Sequence, residues 1–281
     1  MPKNKPVIAF FQQSFEQWEK DFLAVNLPAF RINTYNMPLT SKTAPVAKDA
    51  EVVGVFIDSR ITKNLVKLLP RVKLIATMST GYDHIDLVSC GRSKIKVVNV
   101  PHYGTNTVAE HTFALILNLS RKIYVSRERT IRGDFRLDGL RGFDLRDKTI
   151  GIVGFGNIGQ HVARIAHGFD MNIVAYDPHP RQKAKTARKY NVKFSTVKKL
   201  VKEADIVTLH APYTKATHHL IDSQMFKSMK KNALLINTAR GGLIKTSALV
   251  QALQRGQIGG AGLDVLEEEQ AVKEEKNLLS T

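Results

Sequence analysis

The sequence predicts an α/β protein built on parallel, doubly wound sheets and divided into two units. Three observations predict it. Short apolar runs alternate with stretches of helical spacing along nearly the whole chain, which is the pattern of strands joined by crossover helices. A Gly154-x-Gly156-x-x-Gly159 loop lies between one such strand and one such helix. A long apolar stretch follows Pro101, and a second strand series begins after it. The expected units are therefore residues 1–101 and 102–281, with a hinge near Pro101.

In chain order, Val7–Phe11 and residues 52–57, 74–78 and 97–100 are short, largely apolar runs. They read as strands buried on both faces. Between them, Ile61, Leu65, Leu68 and Leu69 recur at helical spacing. Residues 108–123 predict a long apolar helix. The second series predicts strands at Thr149–Val153, Asn172–Tyr176, 192–194, 205–210, 233–237 and 260–265. Helices are expected between most of them, at 159–168, 196–203 and 247–255. No internal repeat is evident.

A chain of 281 residues with 43% hydrophobic content can bury a sizeable core. Its net charge of +17 is spread over both units. The densest basic stretch, residues 181–202, contains only Tyr190 and Phe194 as aromatics. It reads as a solvated face, and nucleic acid is not the expected partner. Gln12-Gln13 ends the N-terminal apolar run too early for a signal segment, and no stretch is long enough to span a membrane. A single cysteine, Cys90, excludes an intramolecular disulfide. That fits a reducing compartment, and a cytoplasmic location is expected. No metal site is expected.

The glycine loop carries the first chemistry. It follows the strand Thr149–Val153 and opens a helix bearing Val162, Ile165 and Ala166. A second strand ends at Asp177, twenty-one residues after Gly156. That is the full context of a dinucleotide-binding fingerprint in a Rossmann unit. Gly154 permits the tight turn, Gly156 lets backbone N–H groups approach a pyrophosphate, and Gly159 lets the helix pack on the sheet. The helix N-terminus faces the phosphates with its positive dipole end. Asp177 can accept hydrogen bonds from ribose hydroxyls and repels a 2′-phosphate. NAD is therefore the expected cofactor rather than NADP.

Further motifs carry a resemblance. They are Met78-Ser79-Thr80-Gly81-Tyr82-Asp83-His84-Ile85-Asp86, Asn99-Val100-Pro101-His102-Tyr103 and Val108-Ala109-Glu110-His111. After the glycine loop come Leu209-His210-Ala211-Pro212, Thr214, Thr217, Asn237-Thr238-Ala239-Arg240-Gly241 and Gly262-Leu263-Asp264-Val265. From about residue 74 to 269 the chain resembles the D-isomer-specific 2-hydroxyacid dehydrogenases. Tyr103 and Gly142-Phe143-Asp144-Leu145 make it look most like the D-lactate dehydrogenase branch. The resemblance implies a flavodoxin-like substrate domain over residues 1–101, lacking its C-terminal part. It implies a Rossmann NAD-binding domain over 102–281, lacking its last strand. It implies an NAD-dependent enzyme interconverting pyruvate and D-lactate, and a homodimer formed through the NAD domain, with 108–123 as an interface helix.

The resemblance also assigns residues. Backbone N–H groups near Thr80 and Gly81 would hold the substrate carboxylate, and Tyr103 would line the substrate pocket. Asn157 and Ile158 would cradle the pyrophosphate. Ala211, Pro212 and Thr217 would line the adenosine and phosphate side. Thr238 and Ala239 would lie beside the nicotinamide ribose, and Asp264 near the carboxamide. Arg240 would bind the carboxylate and polarise the keto oxygen, and Glu269 would partner the catalytic histidine. The residue types suit an anionic substrate. Arg presents a planar fork to a carboxylate, and fixed positive charge stabilises the oxygen on which charge develops.

None of the nine histidines lies beyond Glu269, where the resemblance places the catalytic one. The sequence therefore reads as a truncated dehydrogenase of impaired turnover. The alternative is an NAD-binding, non-catalytic regulator of the corepressor kind.

Overall fold

Uninterrupted apolar runs can be satisfied only where both faces of a strand are covered, and two parallel sheets provide that here. The computed structural model describes residues 5–267. The chain falls into two units, Met1–Tyr103 and Gly104–Thr281.

In the first unit the strands are β1 (Val7–Phe11), β2 (Arg31–Tyr35), β3 (Val52–Val55), β4 (Leu74–Thr77) and β5 (Lys96–Val98). They form one sheet of order β2-β1-β3-β4-β5, parallel throughout. This is the flavodoxin-like order. Three helices, α1 (Gln17–Asn26), α2 (Lys63–Lys67) and α3 (Leu87–Arg92), lie between strands. One core contains Phe11, Leu39, Val53, Leu65 and Ile75. A smaller one gathers Ile8, Phe10 and Phe15.

The second unit opens with α4 (Thr105–Ser120) and α5 (Ile123–Ile131). It continues through β6 (Thr149–Val153), α6 (Asn157–Gly168), β7 (Asn172–Tyr176), α7 (Ala184–Lys189), β8 (Lys193–Phe194) and α8 (Val197–Glu203). Then come β9 (Ile206–Leu209), α9 (Ser223–Ser228), β10 (Leu234–Asn237), α10 (Thr246–Gln254) and β11 (Gly260–Leu263). The sheet order is β8-β7-β6-β9-β10-β11, the doubly wound Rossmann arrangement with its switch point between β6 and β9. Two cores sandwich it. One includes Ile150, Ile152, Phe155, Val162 and Ile236; the other includes Val153, Leu200, Val207, Phe226 and Leu235.

Several expected boundaries shift for local reasons. The helix expected over 61–69 contracts to α2, because Thr62 accepts from Leu65 N–H at 3.3 Å as its N-cap and Ile61 instead bridges Ile85. The helix expected over 108–123 begins earlier and stops at Ser120. Lys122 there takes a left-handed φ of 54°, which breaks the helix before α5. The apolar face of α4 is mostly core, with Ala109, Phe113 and Ile116 buried.

Candidate functional site

Register brings the predicted cofactor residues of the second unit to one edge. Val153 lies opposite Tyr176 on one side and Leu209 on the other. Leu209 lies opposite Asn237, and Asn237 opposite Leu263. The glycine loop, Asp177, His210-Ala211, Thr238-Ala239-Arg240 and Asp264 each begin within three residues of those strand ends. They share the carboxyl edge of the sheet, where open α/β sheets bind ligands.

The glycine loop is built from close approaches. Gly154 has φ +96°, and a Cβ there would lie 2.7 Å from the Ala211 nitrogen and the His210 carbonyl. A Cβ at Gly159 would lie 2.1 Å from the Gly154 oxygen, so α6 can start tight against β6 only with glycine there. Gly156 is different, because a Cβ there would meet nothing within 4 Å. It is the N-cap of α6 and supplies no capping side chain. The first turn of α6, with Asn157 and Ile158, therefore presents backbone N–H groups beside an open side, a cradle suited to a pyrophosphate. Asp177 is half-buried. One of its oxygens accepts from Phe155 N–H at 3.1 Å and the other from His179 N–H at 2.8 Å. The acid thus holds the loop as well as lying at the end of β7. Thr217 hydroxyl donates to the Pro212 carbonyl at 2.7 Å and accepts from Thr214 N–H at 2.8 Å, which shapes the turn that carries Ala211-Pro212.

His210 lies behind that turn. Burial pushes its imidazole down to about 3, so the ring is neutral at working pH. One ring nitrogen pairs with the Thr208 hydroxyl at 2.9 Å. The other, Nδ1, is enclosed without a partner among the described residues.

A second group of residues surrounds Thr238 to Asp264. The Asn237 side chain accepts from Ala239 N–H at 3.0 Å and donates to the Arg240 carbonyl at 2.9 Å. Asp264 N–H donates to the Asn237 carbonyl at 3.0 Å. Helix α4 braces this edge with adjacent residues. Thr112 and Thr238 hydroxyls meet at 3.0 Å in a buried contact. His111 Nε2 lies 3.3 Å from Asp264 Oδ1. Thr112 is therefore a support that motif reading did not name, while His111 and Asn237 stand inside the quoted motifs. Adjacency to His111 on α4 was the available signal for Thr112.

In the first unit, the loop after β4 is held by side-chain hydroxyls. Thr77 and Ser79 hydroxyls are 2.7 Å apart, Ser79 donates to the Gly81 carbonyl at 2.7 Å, and Thr77 lies 3.2 Å from His84 Nε2. The Thr80 hydroxyl donates to the Val100 carbonyl at 3.0 Å, and the Asn99 amide donates to the Thr80 carbonyl at 2.8 Å. Thr80 and Tyr103 are exposed, and Gly81 is half-buried. Glu269 lies outside the described residues. Among the described residues no cluster could hold a metal ion, and no helix is long and apolar enough to cross a membrane.

Comparison with known proteins adds to this geometry. Residues 113–281 match the model of the D-isomer-specific 2-hydroxyacid dehydrogenase NAD-binding domain. A 2-hydroxyacid dehydrogenase homologue of Schizosaccharomyces pombe is 40% identical over 93% of this chain and 79% of its own. The D-lactate dehydrogenase of Escherichia coli is 35% identical over 91% of this chain and 78% of its own. The crystal structure of D-lactate dehydrogenase from Aquifex aeolicus, complexed with NAD and lactic acid, superposes with a TM-score of 0.88 at 35% identity. The match covers 97% of this chain and 81% of that one.

Proposed function

The chain belongs to the D-isomer-specific 2-hydroxyacid dehydrogenases, and from that premise we propose that it is built to interconvert pyruvate and D-lactate. NAD is its cofactor. The observation that carries the reading is the Gly154–Gly159 loop, with its open Gly156 side and with Asp177 closing it. The residues present fit a dinucleotide. Asn157 and Ile158 N–H groups hold the pyrophosphate, Asp177 the adenosine ribose, and Ala211, Pro212 and Thr217 the adenosine and phosphate side. Thr238, Ala239 and Asp264 take the nicotinamide end. NADH supplies the hydride that reduces the keto carbon.

The remaining roles belong to the chain's own groups. In the second unit, Arg240 binds the substrate carboxylate and polarises the keto oxygen, so that charge growing on that oxygen meets a fixed cation. In the first unit, backbone N–H groups near Thr80 and Gly81 bind the carboxylate, held in place by the Thr77-Ser79 hydroxyl network, and Tyr103 lines the pocket. Glu269 is assigned as the acid that partners the catalytic histidine. We assign the substrate role to residues 1–101 and the cofactor role to 102–281. The alternative reading is an NAD-responsive regulator without catalysis.

A homodimer through the NAD domain completes the proposal. The buried face of α4 is core, and exposed apolar residues nearby in sequence include Ile123, Tyr124, Val125 and Ile131 on α5, with Phe135 and Leu137 after it. Such a patch favours a protein partner over solvent. The lone, buried Cys90 supports a cytoplasmic location. One experiment tests the reading: an NADH fluorescence titration followed by addition of pyruvate. Saturable binding with pyruvate-dependent NADH oxidation supports the enzyme, and R240Q then weakens the pyruvate effect by about 1.5–3 kcal/mol, the scale of a hydrogen bond to a charge. Binding with no oxidation at any pyruvate concentration supports the regulator. No binding contradicts both.

A further inference from the structure

Three segments of the second unit interlock behind the Arg240 turn. The loop after β9 carries Tyr213, His218 and His219. The turn after β10 is Arg240-Gly241-Gly242. The stretch after β11 runs from Asp264 to Glu267. A Cβ at Gly241 would lie 2.0 Å from the Leu266 backbone, so these two segments cross in direct backbone contact. A Cβ at Gly242 would lie 2.6 Å from the Tyr213 ring. His219 N–H donates to the Gly242 carbonyl at 2.9 Å, and Ile221 N–H to the Leu243 carbonyl at 3.0 Å.

A side-chain pair closes the crossing. His219 Nε2 pairs directly with Glu267 Oε1. The other oxygen, Oε2, accepts from Thr246 N–H at 3.1 Å, at the first residue of α10. His218 stacks on His219 with ring centroids 3.7 Å apart, and the Tyr213 hydroxyl reaches His218 Nδ1 at 3.0 Å. His219 has φ +51°. A non-glycine residue keeps a left-handed backbone only where its surroundings over-determine it. The strain is therefore held by these partners.

We infer that His219 and Glu267 are positioning residues for the nicotinamide side of the site, clamping the Arg240 turn against the segment that carries Asp264. Glu267 is three residues from Asp264, and His219 is bonded to the residue two beyond Arg240. Neither side chain is assigned to a ligand. Their effect is transmitted through the backbone of the residues that are. The inference rests on the NAD-binding reading of this unit.

The test compares two probes on the full chain, NADH and AMP. AMP engages the glycine loop and Asp177 but lacks the nicotinamide end. E267A removes both bonds of the carboxylate. H219N removes the pair while keeping a residue type that tolerates positive φ. Each is expected to weaken NADH binding on the order of tenfold, about the loss of one charge-assisted hydrogen bond, with AMP affinity unchanged. E267Q retains an acceptor and is expected to recover most of the NADH affinity. Unchanged NADH affinity in both variants overturns the inference, and so does a parallel loss of AMP and NADH, which marks general destabilisation. Failure of the unsubstituted chain to bind NADH overturns the NAD reading and the inference together. That result is distinguished by the first arm alone.

Discussion

The two units use the same parallel crossover architecture but hold their loops in opposite ways. The second unit's glycine loop works by leaving out side chains. Gly154 and Gly159 bring backbone against backbone, and Gly156 leaves one side bare. The first unit's loop after β4 works by adding them. Hydroxyls of Thr77, Ser79 and Thr80 and the Asn99 amide hold it from within and from the residues just after β5. A loop made of close backbone approach has no slack for a Cβ. A loop held by several hydrogen bonds loses its members one at a time. The first should fail abruptly and the second gradually.

The largest effect tests that difference directly. G154V places a branched side chain at φ +96° against the His210-Ala211 backbone. NADH affinity is expected to fall at least about a hundredfold, with strain of about 1–3 kcal/mol lowering thermal stability. Isothermal calorimetry and a melting curve read both. A tenfold change or less would remove the contrast.

Acid comes next, because the two groups with the largest shifts around the site are both in the second unit. His210 titrates near 3 when folded, against about 6.5 in a free chain. Between these values the unfolded chain takes up the proton, so stability falls as pH drops below about 6.5, by up to about 1.4 kcal/mol per pH unit. Glu267 is held down to about 2, chiefly by the hydrogen bond from His219. Its contribution is present above about 4.5 and is lost as pH falls towards 2. Melting temperatures from pH 8 to 4 should decline, and H210N should flatten the limb below 6.5. An unchanged slope in H210N would assign the decline elsewhere.

A smaller effect asks whether the second unit also leans on hydroxyls. T112V keeps the shape but breaks the buried contact with Thr238. It should cost about 1–3 kcal/mol, because a buried hydroxyl is left unmatched. NADH affinity should drop less than in G154V. Smallest of all, S79A removes one member of the first unit's network. With Thr80 and Asn99 bonds intact, about 0.5–1.5 kcal/mol of stability should be lost, with NADH affinity unchanged. A loss from S79A as large as that from G154V would erase the distinction.

Much of this was legible in the sequence because strands buried on both faces announce themselves as apolar runs, as at Thr149–Val153 and Leu234–Asn237. Strand β2, Arg31–Tyr35, was not foreseen, because an edge strand of mixed residues with no fully buried position carries no such signal. Helix α1 was not foreseen either: Trp18, Phe22 and Val25 recur at helical spacing, but the helix buries none of its residues and leaves these three exposed. The glycine loop was readable because its function is local. The contacts of Thr112 with Thr238 and of His219 with Glu267 were not, since the partners are 126 and 48 residues apart and only the fold unites them. The run Glu267-Glu268-Glu269 shows the same limit. Adjacent like residues differ only in where the backbone aims them, and the acid paired with His219 is Glu267.

The central claim is that the second unit binds NAD through the Gly154–Gly159 loop and Asp177. Parallel titrations of the chain with NADH and NADPH test it most directly. The account predicts saturable NADH binding, markedly weaker NADPH binding, and a D177S variant in which the two affinities converge. Equal affinity for both cofactors in the unsubstituted chain, or NADH binding that survives G154V, would contradict it.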